Sequence, residues 1–114
     1  MSGEAALREG LRLFNAEAYF AAHEAWEELW LRADEPLRTY VQGLIQLAAG
    51  WHHLGRGNPG GARRLLDAAI RKLEPYPSGF AGIDASEAVT QAQAILGGKP
   101  RLAAAPQLRA TFDD

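Results

Sequence analysis

The sequence predicts an all-α fold, a single compact bundle of about five helices, and three observations predict it. The stretch 39–55, TYVQGLIQLAAGWHHLG, contains no Asp, Glu, Lys or Arg in a chain that is 23% charged. Apolar residues recur at three- and four-residue intervals in four further stretches, the spacing that lines one face of a helix. Asn, Asp, Gly and Pro stand between those stretches, where they cap helices or end them.

Each element follows in turn. Residues 4–15 place Leu7, Leu11 and Phe14 on one face with Arg8 and Arg12 off it, and Asn15 suits the left-handed turn that closes a helix. The second helix spans roughly 17–33. At about 100° per residue, Tyr19, Phe20, Trp26 and Trp30 share one side. His23 falls in the middle of that side, Glu27 inside its edge, Glu24 near the boundary and Glu28 outward. The link 32–36 is short, with Asp34 as the cap, so helices two and three are expected to be antiparallel neighbours.

The third helix, roughly 36–55, is the expected centre of the bundle. Leu37, Tyr40, Leu44, Leu47, Trp51 and Leu54 form its apolar face. Gln42, Gln46 and His53 line another, with Ala49 and Gly50 among them; His52 falls off that stripe, towards Val41 and Ile45. Asn58 caps a fourth helix beginning at Pro59 and running to about Leu73, its Arg63, Arg64, Arg71 and Lys72 facing out. YPSGFAGI is a loop. Asp84 and Glu87 match the D-x-x-E capping box of a fifth helix that runs to about Leu96. Residues 1–97 thus read as the bundle, and 98–114, with no sustained period, as an extended or mobile tail.

Composition narrows the function. One chain of 114 residues, 47% apolar, can bury one core. A formal charge of −2 gives no general attraction to nucleic acid or anionic membranes, and the basic side of the fourth helix, interrupted by Asp67, reads as a solvated face. The absence of cysteine excludes disulfides and thiolate chemistry and fits a reducing compartment. MSGEAALREG lacks the basic and apolar regions of a secretory signal, so a soluble cytoplasmic protein is expected. GRGNPGG lacks the strand and the Lys of a phosphate-binding loop and reads as a turn. Partners are unspecified: a protein partner or a homo-oligomer fits the sequence, a membrane does not, and nucleic acid is disfavoured.

The informative cluster is His23, Glu27, Gln42, Gln46 and His53, flanked by Glu24, Trp26 and Trp30. A histidine and a carboxylate four apart touch along a helix, and here they face the polar stripe of the next helix. Polar groups on buried faces must find partners. One reading is a buried hydrogen-bond network that fixes helix register in a binding or scaffold module. The other is a pocket for a small polar ligand, with water activation by a His23–Glu27 pair as the only evident chemistry, since no nucleophile accompanies it. No cofactor is expected; a divalent metal on His23, Glu27 and His53 is the subordinate form of the second reading, because the Glu-x-x-His and His-Glu-x-x-His spacings are absent. On the buried reading, truncating His23 costs about 1–3 kcal/mol. Access decides between the two readings: an open groove favours a ligand, and a seal by Trp26 and Trp30 favours architecture.

F-N at a helix end, H-E-x-x-E-x-x-W, Q-G-L-I-Q-L-A, G-N-x-x-G-A and G-I-D occur in that order. Together they resemble the small helical bacterial and archaeal family catalogued as domain of unknown function 309, over roughly 7–96. The resemblance implies an all-helical bundle in one compact domain and carries no assigned activity. His23, Glu24, Glu27, Trp30, Gln42, Gly43, Gln46, Asn58 and Ala62 are the residues that fit its pattern.

Overall fold

Helix α3 (Leu37–Gly55) is the pillar of the bundle, because eight of its side chains or glycine backbones are buried: Tyr40, Val41, Gly43, Leu44, Leu47, Ala48, Gly50 and Trp51. The structure, a computed structural model, describes residues 2–99 and 104–112. Within them α1 (Gly3–Asn15) packs on α2 (Tyr19–Trp30), α2 on α3, α3 on α4 (Pro59–Leu73) and α4 on α5 (Ser86–Leu96). This is the all-α bundle the periodicity predicts. No helix among the described residues is long and apolar enough to cross a membrane.

Local chemistry sets the helix ends. Ser2 accepts from the Ala5 amide to open α1, and Asn58 accepts from the Gly61 amide to open α4. Glu17 adopts a left-handed conformation (φ 64°), so the chain turns there and α2 starts at Tyr19 rather than near 17. It stops at Trp30, short of 33, where Arg32 and Ala33 donate to the carbonyls of Leu29 and Trp30 in a tightened last turn. At the head of α3 the acceptor is Glu35, not the expected Asp34. Its carboxylate receives the Thr39 hydroxyl at 2.6 Å and the Thr39 amide at 2.8 Å, and these bonds hold its pKa below the ordinary value.

The core closes on aromatic rings. Trp26 and Trp51 are fully buried, and Phe14 meets Trp51, Trp26 and Tyr19 at ring-centroid distances of 6.3, 6.2 and 5.1 Å. Each such ring contributes about 2–3 kcal/mol on burial. Glycines set the helix spacing. A Cβ at Gly10 would collide with the Trp26 indole, and one at Gly50 would lie 2.6 Å from a methyl of Leu66, so α1 and α4 approach where side chains are missing. Gly50 therefore serves packing against α4. One inward assignment on α2 needs correction: Phe20 is 54% exposed, because α1 takes the Trp26 side of α2 and leaves Phe20 at the rim.

The C-terminal segment returns to the bundle. Arg109–Ala110 (β2) pairs antiparallel with Ile83–Asp84 (β1), and Pro106 and Leu108 are buried. Asn15 holds this return through both ends of its amide: Nδ2 donates to the Leu108 carbonyl and Oδ1 accepts from the Leu108 amide, each at 2.8 Å. Residues 100–103 and 113–114, part of the expected tail, lie outside the described residues. Asp84 sits in this pairing. Its carboxylate accepts from the Ser86 amide and hydroxyl, so Ser86 rather than Glu87 answers it at the head of α5.

Candidate functional site

The groove between α2 and α3 collects four of the five residues singled out from the sequence. His23, Glu27 and Trp30 come from α2, and Gln42, Ile45 and Gln46 from α3; together they line a cavity of about 230 Å³. Residues four apart on each helix stack one turn above the other, so antiparallel packing aligns the His23–Glu27 pair with the Gln42–Gln46 pair. The short link 31–36 forces that alignment.

The cluster is not the buried set that the face assignment predicted. The His23 side chain is 27% exposed and that of Glu27 48%, and Gln42 and Gln46 are half-buried. The physical reason is the position of α1. It covers one flank of α2, where Trp26 donates its indole N–H to the Leu7 carbonyl at 3.4 Å. The opposite flank, bearing His23 and Glu27, is left facing α3 and solvent. Trp26 accordingly does not flank the groove, Glu24 is exposed, and Trp30 alone of the three flanking residues lines it. Trp30 is held from behind: the Arg38 guanidinium lies 4.0 Å from its ring centroid and donates to its carbonyl at 3.1 Å. Stacking of this kind steadies an indole whose edge must stay placed.

His23 Nε2 lies 3.2 Å from Glu27 Oε2. A carboxylate only accepts, so His23 Nε2 carries a proton and donates to it. The His23 Nδ1 is shielded from solvent and has no hydrogen-bond partner within the chain. The same holds for one side-chain atom in each of two other residues that line the groove, the Trp30 indole Nε1 and the Gln46 side-chain oxygen. Shielded polar atoms are almost always bonded, so three unmet ones in residues lining one groove are a specific feature. Two larger hollows lack it. Cavities of about 620 Å³ between α1 and the 79–82 turn, and about 250 Å³ beside Tyr40 and Tyr76, have no shielded side-chain polar atom without a partner among the described residues. Tyr40 and Tyr76 each donate their hydroxyls to backbone carbonyls there.

His53 departs from the cluster. Its Nδ1 lies 3.1 Å from the Asn58 side-chain nitrogen, which ties it to the α3–α4 turn. It lines a separate hollow of about 130 Å³ with Phe20, His23, Ala49 and His52. His23, Glu27 and His53 are thus not drawn into one ligand set, and no group of three or more His, Cys, Asp or Glu that could hold a metal ion occurs among the described residues. His52, placed off the polar stripe by the helical wheel, meets the Phe20 ring at 5.4 Å, and Phe20 meets His23 at 5.7 Å. The signal in the sequence is Phe20, three residues before His23 on the same face.

The chain matches the family described as Domain of unknown function (DUF309) over residues 7–65, more than half its length. That segment contains the whole groove. An uncharacterized protein of Aquifex aeolicus (strain VF5) is 30% identical over 94 residues, which cover 82% of this chain and 28% of that protein. The uncharacterized protein YpuF of Bacillus subtilis (strain 168) is 43% identical over 58 residues, 49% of this chain and 33% of that one. The chain therefore spans about a third or less of the length of these curated relatives. The crystal structure of a conserved hypothetical protein from Thermus thermophilus superposes with a TM-score of 0.70 at 35% identity, covering 80% of this chain and 95% of that one. A match over the groove-bearing helices and a shared fold with this degree of identity make the chain a member of the DUF309 family.

Proposed function

We propose that this chain is a helical binding module whose α2–α3 groove takes a small polar ligand. The observation that carries the reading is that His23, Glu27, Trp30, Gln42 and Gln46 line one groove of about 230 Å³, and that three of these residues each carry a side-chain polar atom without a partner in the chain. An architectural network would satisfy its members against one another. Here, among the described residues, no side-chain hydrogen bond links Gln42 or Gln46 of α3 to His23 or Glu27 of α2. The volume exceeds the ~150 Å³ that holds benzene in an engineered cavity, so a ligand of that order fits. That segments like this one occur within longer relatives suits a module.

The role of each residue follows from its chemistry. Trp30 donates, with its ring braced by Arg38. His23 turns Nε2 to Glu27 and keeps Nδ1 without a partner in the chain. Gln42 and Gln46 offer amides that can donate or accept. The test is a thermal-shift screen of the whole chain against small polar metabolites, with Gln46→Met run in parallel. Compounds that raise the wild-type Tm but leave the variant unmoved support the groove. Compounds that raise both equally bind elsewhere, and a screen without any stabilising compound removes the reading.

A further inference from the structure

The α2–α3 groove, taken as the ligand site proposed above, has fixed charge of one sign. Helix α2 carries three carboxylates, Glu24, Glu27 and Glu28, all exposed, and no Lys or Arg, and residues 39–55 of α3 carry no Asp, Glu, Lys or Arg. Glu27 lines the cavity of about 230 Å³, where His23 meets one of its oxygens and its side chain stays 48% exposed. Arg38 lies against the Trp30 ring and donates to the carbonyls of Trp30 and Ala33. It lines neither that cavity nor the hollow of about 130 Å³ that shares His23 with it.

That second hollow supplies an apolar surface next to the charge. Phe20 lines it and is 54% exposed, one of two exposed large apolar side chains among the described residues. Glu27 Oε2 lies 3.2 Å from His23 Nε2, and the His23 ring centroid lies 5.7 Å from that of Phe20. One small molecule therefore reaches the carboxylate and the Phe20 ring together.

We infer that the groove takes an organic cation, an ammonium or guanidinium group held at Glu27 and joined to an apolar portion that covers Phe20. An anion is the wrong complement, because it meets Glu27 with Glu24 and Glu28 on the same helix. A neutral molecule gains the contact with Phe20 and nothing from the carboxylate. A cation with an apolar portion gains both, and it removes exposed ring surface from water. Any acceptor it offers the Trp30 N–H is a neutral oxygen, since an anionic one would lie in the field of Glu27.

Such a cation is found on free amines and on the Lys side chains of peptides, and the probes separate these sources. Isotope-labelled protein is titrated at pH 8, where an ordinary imidazole is uncharged, with phenethylamine, 3-phenylpropionate, 2-phenylethanol and a blocked Phe-Lys dipeptide. The Trp30 indole N–H and the side-chain amides of Gln42 and Gln46 are followed by NMR. Phenethylamine is expected to shift these signals and to bind about tenfold more tightly than 3-phenylpropionate, with the alcohol between, as attraction in place of repulsion at a half-exposed carboxylate gives. The preference should shrink as salt is raised. Shifts with the dipeptide and not with phenethylamine would assign the same chemistry to a peptide source. Glu27→Gln is expected to abolish the preference for the amine, and Phe20→Ala to weaken all three small probes while leaving their order unchanged. If 3-phenylpropionate or the alcohol binds as tightly as phenethylamine, or if Glu27→Gln keeps the preference, the cation assignment fails while the groove stands as a ligand site. If no probe moves the signals, the assignment fails and the groove itself is judged by the metabolite screen.

Discussion

Replacing Gln46 by Met separates a ligand groove from an architectural network by the sign of a stability change. Gln and Met are alike in length and in helix propensity, so the substitution at mid-α3 changes little except the amide. In the protein the Gln46 oxygen is shielded and has no partner. Leaving such a group unsatisfied costs about 1–3 kcal/mol; the half-exposed setting places this case at the low end. Removing it should therefore leave stability unchanged or raise it by up to about 1 kcal/mol. At about 0.24 kcal/mol/K of unfolding entropy for a chain of this size, that is a rise in Tm of up to about 4 °C. The assay is urea unfolding followed by far-UV circular dichroism, with an unchanged m-value required for the comparison. A loss of about 1 kcal/mol or more would mean that Gln46 is bonded inside the protein, and the groove would then be architecture.

Other perturbations have equally definite expectations. His23→Ala should cost about 1 kcal/mol or less by urea unfolding, not the 1–3 a buried pair implies, because the Glu27 it abandons is 48% exposed and solvated; a larger loss would restore the buried-network reading. Asn15→Ala removes two 2.8 Å bonds to Leu108 and should lower stability by about 1–2 kcal/mol, with faster amide exchange across β2; an unchanged Tm would show that the return of the chain does not depend on Asn15. The bonds from the Ser86 amide and hydroxyl hold the Asp84 carboxyl below its ordinary 3.8, so its stabilisation is present above that value and is lost as the pH falls through the lowered one. Asp84→Asn, which keeps an acceptor but does not titrate, should flatten the decline of Tm below about pH 4; an unaltered acid limb would place the dependence in other carboxylates.

The bundle was legible because its signals are local. A charge-free run of helical length, the capping residue Asn58, and Pro and Gly at the breaks depend only on neighbours along the chain. The pairing of His23 and Glu27 with Gln42 and Gln46 was legible for the same reason: a short link makes two helices antiparallel, and four-residue spacing does the rest. What was not legible depends on which third element covers which flank. A helical wheel places Trp26, Phe20 and Glu27 on one side of α2. Only the docking of α1 at Gly10 decides that Trp26 is buried while Phe20 and Glu27 stand at the rim. The return of the tail was hidden because two-residue strands carry no period, and its anchor, Asn15, is 93 residues distant from Leu108. His53 looked like part of the polar stripe until Asn58, the cap of the next helix, took its Nδ1.

Two shielded indole N–H groups of this chain test the central claim against each other. Trp26 Nε1 donates to the Leu7 carbonyl, whereas Trp30, which lines the groove, has no partner in the chain for its Nε1. Hydrogen exchange of both, followed by NMR in the same ligand-free sample, should show Trp26 exchanging only with global unfolding and Trp30 exchanging orders of magnitude faster through local access. Equal protection of the two would mean that the Trp30 N–H is bonded within the bundle as that of Trp26 is, and the groove would lose the unmet donor that marks it as a site.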